Sequence, residues 1–98
     1  MPRFLHVDPR TLLLTSGRRT GADPTKLLFQ KSRFGASDVG MKPPIVYEAP
    51  SGELVLYDGV TRAARIAELA PGRPLLVEHA GPTRLPRGPH VRLGDTLP

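Results

Sequence analysis

The chain has no cysteine and no tryptophan among its 98 residues. Without thiols it can form no disulfide, no thiolate zinc site and no cysteine nucleophile. That fits a reducing compartment, and a cytoplasmic location is expected. No run approaches the ~20 apolar residues needed to cross a bilayer. The opening Met1-Pro2-Arg3-Phe4-Leu5-His6 carries no long apolar stretch and no cleavage pattern, so no membrane partner is expected. With only two tyrosines, composition gives little support to a base-stacking platform.

Turn formers are plentiful. Twelve prolines and ten glycines predict short elements joined by many irregular connections. Fourteen Lys and Arg against nine Asp and Glu give a formal charge of +5. Most of the cations are arginines, whose planar guanidinium matches phosphate geometry better than ammonium does. A nucleotide or nucleic acid is therefore an expected partner; the alternative is that the basic surface serves solubility alone.

The length allows one domain with one modest core. Phe4 to Val7 reads as a short strand ended by Asp8-Pro9, and Thr11 to Thr15 reads equally as strand or helical turn. Asp23-Pro24 has the chemistry of a helix start, with Asp as N-cap and Pro in the first turn, and that helix should end before Gly35. The segment Ser32 to Pro44 reads as a loop. Strands are expected over Pro44–Glu48 and Glu53–Tyr57, joined by a hairpin at Ala49-Pro50-Ser51-Gly52. Thr61 to Leu69 has the strongest helical pattern, with Ala63, Ile66, Ala67 and Ala70 as its apolar stripe and Arg65 and Glu68 expected to face outward. Pro71-Gly72 ends it, and Pro74–Glu78 is the next strand. Strand, helix and strand in that order suggest a crossover with the two strands parallel. From Gly81 onward, four prolines and three arginines predict an arm lying on the domain or a disordered tail.

The turn Tyr57-Asp58-Gly59-Val60-Thr61-Arg62 carries the most chemical information. A helix start presents unpaired N–H groups and partial positive charge, both suited to an anion. Gly59 would give a ligand access to the backbone, and Thr61 adds a hydroxyl. Arg62 is unusual, because a cation in the first turn opposes the helix dipole at a cost of roughly 0.3–1 kcal/mol. A phosphate clamped by Arg62 and the N–H groups of Gly59, Val60 and Thr61 would remove that conflict. Read on local chemistry alone, Asp58 is an N-cap, Gly59 a turn residue, and Arg62 a partner of Asp58 or another carboxylate.

Taken together, Pro44-Ile45-Val46, then Leu54 through Arg62, then Ala63-Ala64, Leu69 and Pro74-Leu75-Leu76-Val77 resemble the ParB/sulfiredoxin superfamily. His6-Val7-Asp8-Pro9 through Leu12 resembles the strand and turn that open such domains. The resemblance covers roughly the first four-fifths of the chain and is weakest between Thr15 and Lys42. It implies a single α+β domain over residues 1–80, a small mixed sheet with packed helices, followed by a Pro/Arg-rich arm over 81–98. In sulfiredoxins the position matching Val60 is the catalytic cysteine, so that activity is excluded here. ParB proteins and related nucleases have Gly-Glu-Arg-Arg at the turn, of which Gly59 and Arg62 match. Free-serine kinases have Asp-Gly-His-His-Arg, of which Asp58, Gly59 and Arg62 match. The resemblance thus implies phosphate binding, with ATP or CTP and magnesium as candidate ligands, and leaves the reaction open. A nuclease of toxin type and an ATP-dependent phosphotransferase are the enzymatic alternatives, with Asp58 as the candidate catalytic acid. A non-catalytic interaction module is the third.

Elsewhere, His6, His79 and His90 lack metal-ligand spacing. Ser16, Ser32, Ser37 and Ser51 lack a recognisable histidine partner. Asp8, Asp38 and Glu48 are further carboxylates without a motif to place them.

Overall fold

The computed structural model describes residues 2–98. Its strands are β1 (Arg3–Val7), β2 (Leu13–Leu14), β3 (Ile45–Glu48), β4 (Leu54–Asp58) and β5 (Leu75–Pro82). Helix α1 spans Pro24–Phe34 and α2 spans Val60–Leu69, with 3-10 turns at Pro9–Thr11, Ser16–Arg18 and Leu93–Thr96. The five strands form one mixed sheet in the order β1-β5-β3-β4-β2. This is the expected α+β class.

The local chemistry accounts for most of these boundaries. Asp23 caps α1 by accepting from the N–H groups of Thr25 and Lys26, at 2.9 and 3.1 Å, and Gly35 ends it at φ 57°. The helix therefore runs through Ser32 to Phe34, and the loop starts three residues later than expected. Between β3 and β4 the Ala49–Glu53 hairpin closes with paired backbone bonds, Ala49 N–H to Glu53 O and Gly52 N–H to Ala49 O, both 2.9 Å. The ambiguous Thr11–Thr15 stretch divides: its first residue ends a 3-10 turn, and Leu13–Leu14 form β2.

The expected parallel relation between the strands flanking α2 is corrected by the structure. β3 pairs antiparallel with β4 and parallel with β5, so β4 and β5 run in opposite directions. β3 lies between them, and the parallel crossover is from β3 to β5, with β4 and α2 both inside the connection.

Helix α2 lays Ala63, Ile66 and Ala67 against Val46, Leu56, Leu75 and Val77 of the sheet, with Leu12, Leu14 and Leu93 closing the core. The opposite sheet face holds a small cluster of Leu13, Ala49 and Val55. Both faces of β4 are thus partly covered.

A second correction concerns Arg65. Expected to face outward, it is 2% exposed. Its Nη1 donates to the carbonyls of Gly35 and Ser37 at 2.7 and 2.6 Å, and its Nη2 contacts Met41 Sδ at 3.2 Å. Burial lowers its pKa from the usual arginine value; Arg73 acts in the same sense and Asp38 opposes it. The chain tolerates this buried cation because the loop after α1 supplies carbonyl acceptors.

Residues beyond 80 are built into the same unit. β5 continues to Pro82. Farther on, Leu14 N–H donates to Val91 O at 2.9 Å and Leu93 N–H to Leu12 O at 2.8 Å. The arm thereby covers the outer edge of β2. Leu93 is fully buried, worth about 1.5–3 kcal/mol for a side chain of that size. Arg92 donates to Thr11 O at 2.7 Å and pairs with Glu53.

Candidate functional site

β4 ends at Asp58, and Gly59 turns the chain into α2 with φ 89° and ψ 27°. Only glycine adopts that left-handed geometry routinely. Crowding makes the same demand: a Cβ at Gly59 would lie 2.8 Å from Arg62 Nη2 and 2.8 Å from Pro44 Cβ. Protein atoms therefore occupy the space that was expected to give a ligand access. The missing Cβ leaves room at Gly59 for both the Arg62 guanidinium and Pro44, the residue before β3.

Gly59 itself is the N-cap of α2, and no side chain caps the helix. Asp58, assigned as N-cap on local chemistry, is one residue too early for that role. Its carboxylate is 58% exposed and lies 3.8 Å from Arg62 Nη2. This is an ion-pair distance with no hydrogen bond, and such half-exposed pairs contribute little. Arg62 Nε and Nη2 are shielded from water and have no hydrogen-bond partner. Buried guanidinium donors without acceptors are costly.

The turn opens onto a cleft of about 200 Å³ lined by Asp58, Gly59, Val60, Thr61 and Arg62 together with Arg18, Lys26 and Gln30. Arg18 comes from the 3-10 turn after β2, and Lys26 and Gln30 from α1. Three cations from three elements thus meet at the N-terminus of α2, with Asp58 as the one carboxylate in the lining. Val60 is buried in the core, so it offers the cleft its backbone; Thr61 is half-buried at the rim. Gln30 Oε1 is a further buried polar atom without a partner. The residues placed by the sequence, Gly59, Val60, Thr61 and Arg62, are brought together as one wall.

Lys26 and Gln30 were not foreseen as site residues, and Arg18 only as part of a basic tip. One signal was present for Lys26. It stands in the first turn of α1 as Arg62 stands in the first turn of α2, the same departure from dipole preference. Arg18 and Gln30 carry no such mark; only the tertiary fold brings them in.

The other candidates lie outside the cleft. His79 Nε2 is 2.9 Å from Glu48 Oε1, Ser16 Oγ bonds the backbone of Arg87, and Asp8 accepts from Arg10 N–H at 3.0 Å. Among the described residues no group of three or more His, Cys, Asp or Glu side chains gathers at one point. Among the described residues no helix is long and apolar enough to cross a membrane. No family model, curated protein or solved structure matches the chain.

Proposed function

We propose that the cleft at Gly59, Val60, Thr61 and Arg62 binds a phosphate group of a nucleotide or nucleic acid, as the ParB/sulfiredoxin resemblance implies. The observation that carries this reading is the convergence of Arg18, Lys26 and Arg62 on an uncapped helix N-terminus. An anion there would accept from the first-turn N–H groups, which no side chain satisfies. Arg62 Nε and Nη2 have no acceptor in the protein, and they would meet the anion once the side chain swings out from its shielded position beside Gly59. The turn is partly occluded by Arg62 and Pro44, as an interaction module would have it, but Arg62 is held to Asp58 only by a 3.8 Å contact, so no internal carboxylate locks it in place.

Asp58 offers the cleft a single carboxylate. That fits magnesium carried in by nucleotide phosphates, since magnesium commonly takes one or two carboxylates alongside phosphate oxygens. Magnesium would neutralise phosphate charge there, while this chain's own contribution is to bind and orient the anion.

Isothermal titration with ATP, CTP and a short DNA duplex, with and without magnesium, tests the reading. Arg62→Ala should weaken binding about tenfold or more, as expected for loss of a charge-assisted hydrogen bond worth about 1.5–3 kcal/mol. Equal binding by the wild type and Arg62→Ala would sink it.

A further inference from the structure

A second cavity, of about 470 Å³, lies on the sheet face away from α2. Its floor is Val55 and Tyr57 of β4; its walls are Thr15 to Gly17 on one side and Thr83 to Arg87 on the other. No carboxylate lines it. Arg84 and Arg87 both do, and neither guanidinium takes part in an ion pair among the described residues.

The floor presents an aromatic surface that composition did not foretell. Tyr47 pairs with Val55 across β3 and β4, so Tyr47 and Tyr57 are diagonal neighbours on one sheet face. Their ring centroids are 4.7 Å apart at an interplanar angle of 64°. The Tyr57 hydroxyl and Thr83 Oγ1 share a 2.7 Å hydrogen bond, which fixes the ring while leaving the residue 48% exposed. The far wall is fixed as well. Ser16 Oγ donates to Arg87 O at 3.2 Å, Arg87 N–H donates to Ser16 Oγ at 3.1 Å, and Arg19 also bonds Arg87 O.

We propose that this groove binds single-stranded nucleic acid, with one base lying on Tyr57 and the flanking phosphates on Arg84 and Arg87. A held aromatic ring beside unpaired guanidinium groups is the arrangement by which single strands are bound without sequence preference. The absence of acid from the lining supplies the charge complementarity, and the Tyr57 ring, held edge-to-face by Tyr47, favours a base over an acidic peptide. This site does not depend on the cleft reading, although the two adjoin. Gly17 lines the groove and Arg18 the cleft, while Tyr57 lines the groove and Asp58 the cleft.

The test is titration of the full chain with an oligothymidylate of about 12 nucleotides, read by oligonucleotide anisotropy across a salt series and by tyrosine emission. The chain has two tyrosines and no tryptophan, so quenching of its emission reports on this face. The wild type should bind with quenching. Replacing both Arg84 and Arg87 by Gln should weaken binding about tenfold or more and reduce the log–log salt slope by about 1.4, the value for two lost single-strand phosphate contacts. Tyr57→Leu should weaken binding about fivefold or more with the slope unchanged, while Tyr57→Phe, which keeps the ring, should bind like the wild type. Arg33→Gln, which removes a charge at an exposed position outside both linings, should retain both binding and quenching. Absence of wild-type binding would overturn the proposal. So would unchanged affinity in the Arg84/Arg87 and Tyr57→Leu variants, or displacement of the oligonucleotide by polyglutamate at equal charge concentration.

Discussion

Gly59 and Arg62 form one device, because the space left by a missing Cβ is filled by the guanidinium that lines the cleft. Gly59→Ala would meet both the left-handed backbone penalty, about 1–2 kcal/mol, and the contact with Pro44 and Arg62. Gly72 is a natural control: its φ is 83°, but nothing lies within 4 Å of its missing Cβ. Urea denaturation should show Gly72→Ala losing the backbone penalty alone, and Gly59→Ala losing at least about 1 kcal/mol more. Equal losses would mean that the turn readily relaxes around a methyl group. Arg65 supplies a second residue-scale prediction. Arg65→Met removes the donor for two carbonyls, so it should cost about 3 kcal/mol, one to three for each acceptor left without a partner. Arg33→Met, at an exposed position, should stay within about 0.5 kcal/mol by the same denaturant measurement.

At the scale of elements, legibility followed periodicity and capping chemistry. Helix α2, the start and end of α1 and the β3–β4 hairpin each carry a local signal: an alanine-rich stripe, Asp23-Pro24 before Gly35, and a turn between alternating runs. Each appears close to where it was expected. Three features had no local signal. A buried arginine looks like any exposed one, so Arg65 was misplaced. The direction of β5 relative to β4 depends on β3 inserting between them, which is a matter of long-range pairing. The arm was unreadable because proline abolishes both strand and helix periods, although its Leu93 is a fully buried member of the core. Leu93→Ala should therefore destabilise the domain by about 2–5 kcal/mol, as for other buried leucines, lowering the midpoint of thermal unfolding. A loss below about 0.5 kcal/mol would show that the arm is not held by its leucine. The cleft was half legible for the same reason. Its β4–α2 wall is contiguous in sequence, whereas Arg18, Lys26 and Gln30 reach it only through folding.

For the whole molecule, the radius of gyration is 12.6 Å, close to the ~13 Å of a compact 100-residue domain. The arm thus adds cover without extension. On the sheet side away from α2 the arm brings Arg84 and Arg87 beside Tyr57, and at the start of α2 three cations meet around the glycine turn. The net charge of +5 is concentrated to a useful degree in these adjoining places. Anion binding at the cleft should weaken markedly between about 0.05 and 0.5 M salt, since the Debye length falls from above 10 Å to below 5 Å over that range. Calorimetric affinities unaffected by salt would point to an uncharged ligand.

The most direct measurement is a two-dimensional amide NMR titration of the folded chain with inorganic phosphate, observing backbone N–H and arginine Nε–H resonances together. The proposed cleft requires the largest shifts at the amides of Val60, Thr61 and Arg62 and at Arg62 Nε–H, and in Arg62→Ala the amide shifts at residues 60 and 61 should need about tenfold or more phosphate. Shifts that leave residues 59–62 unmoved while other basic positions respond would contradict it.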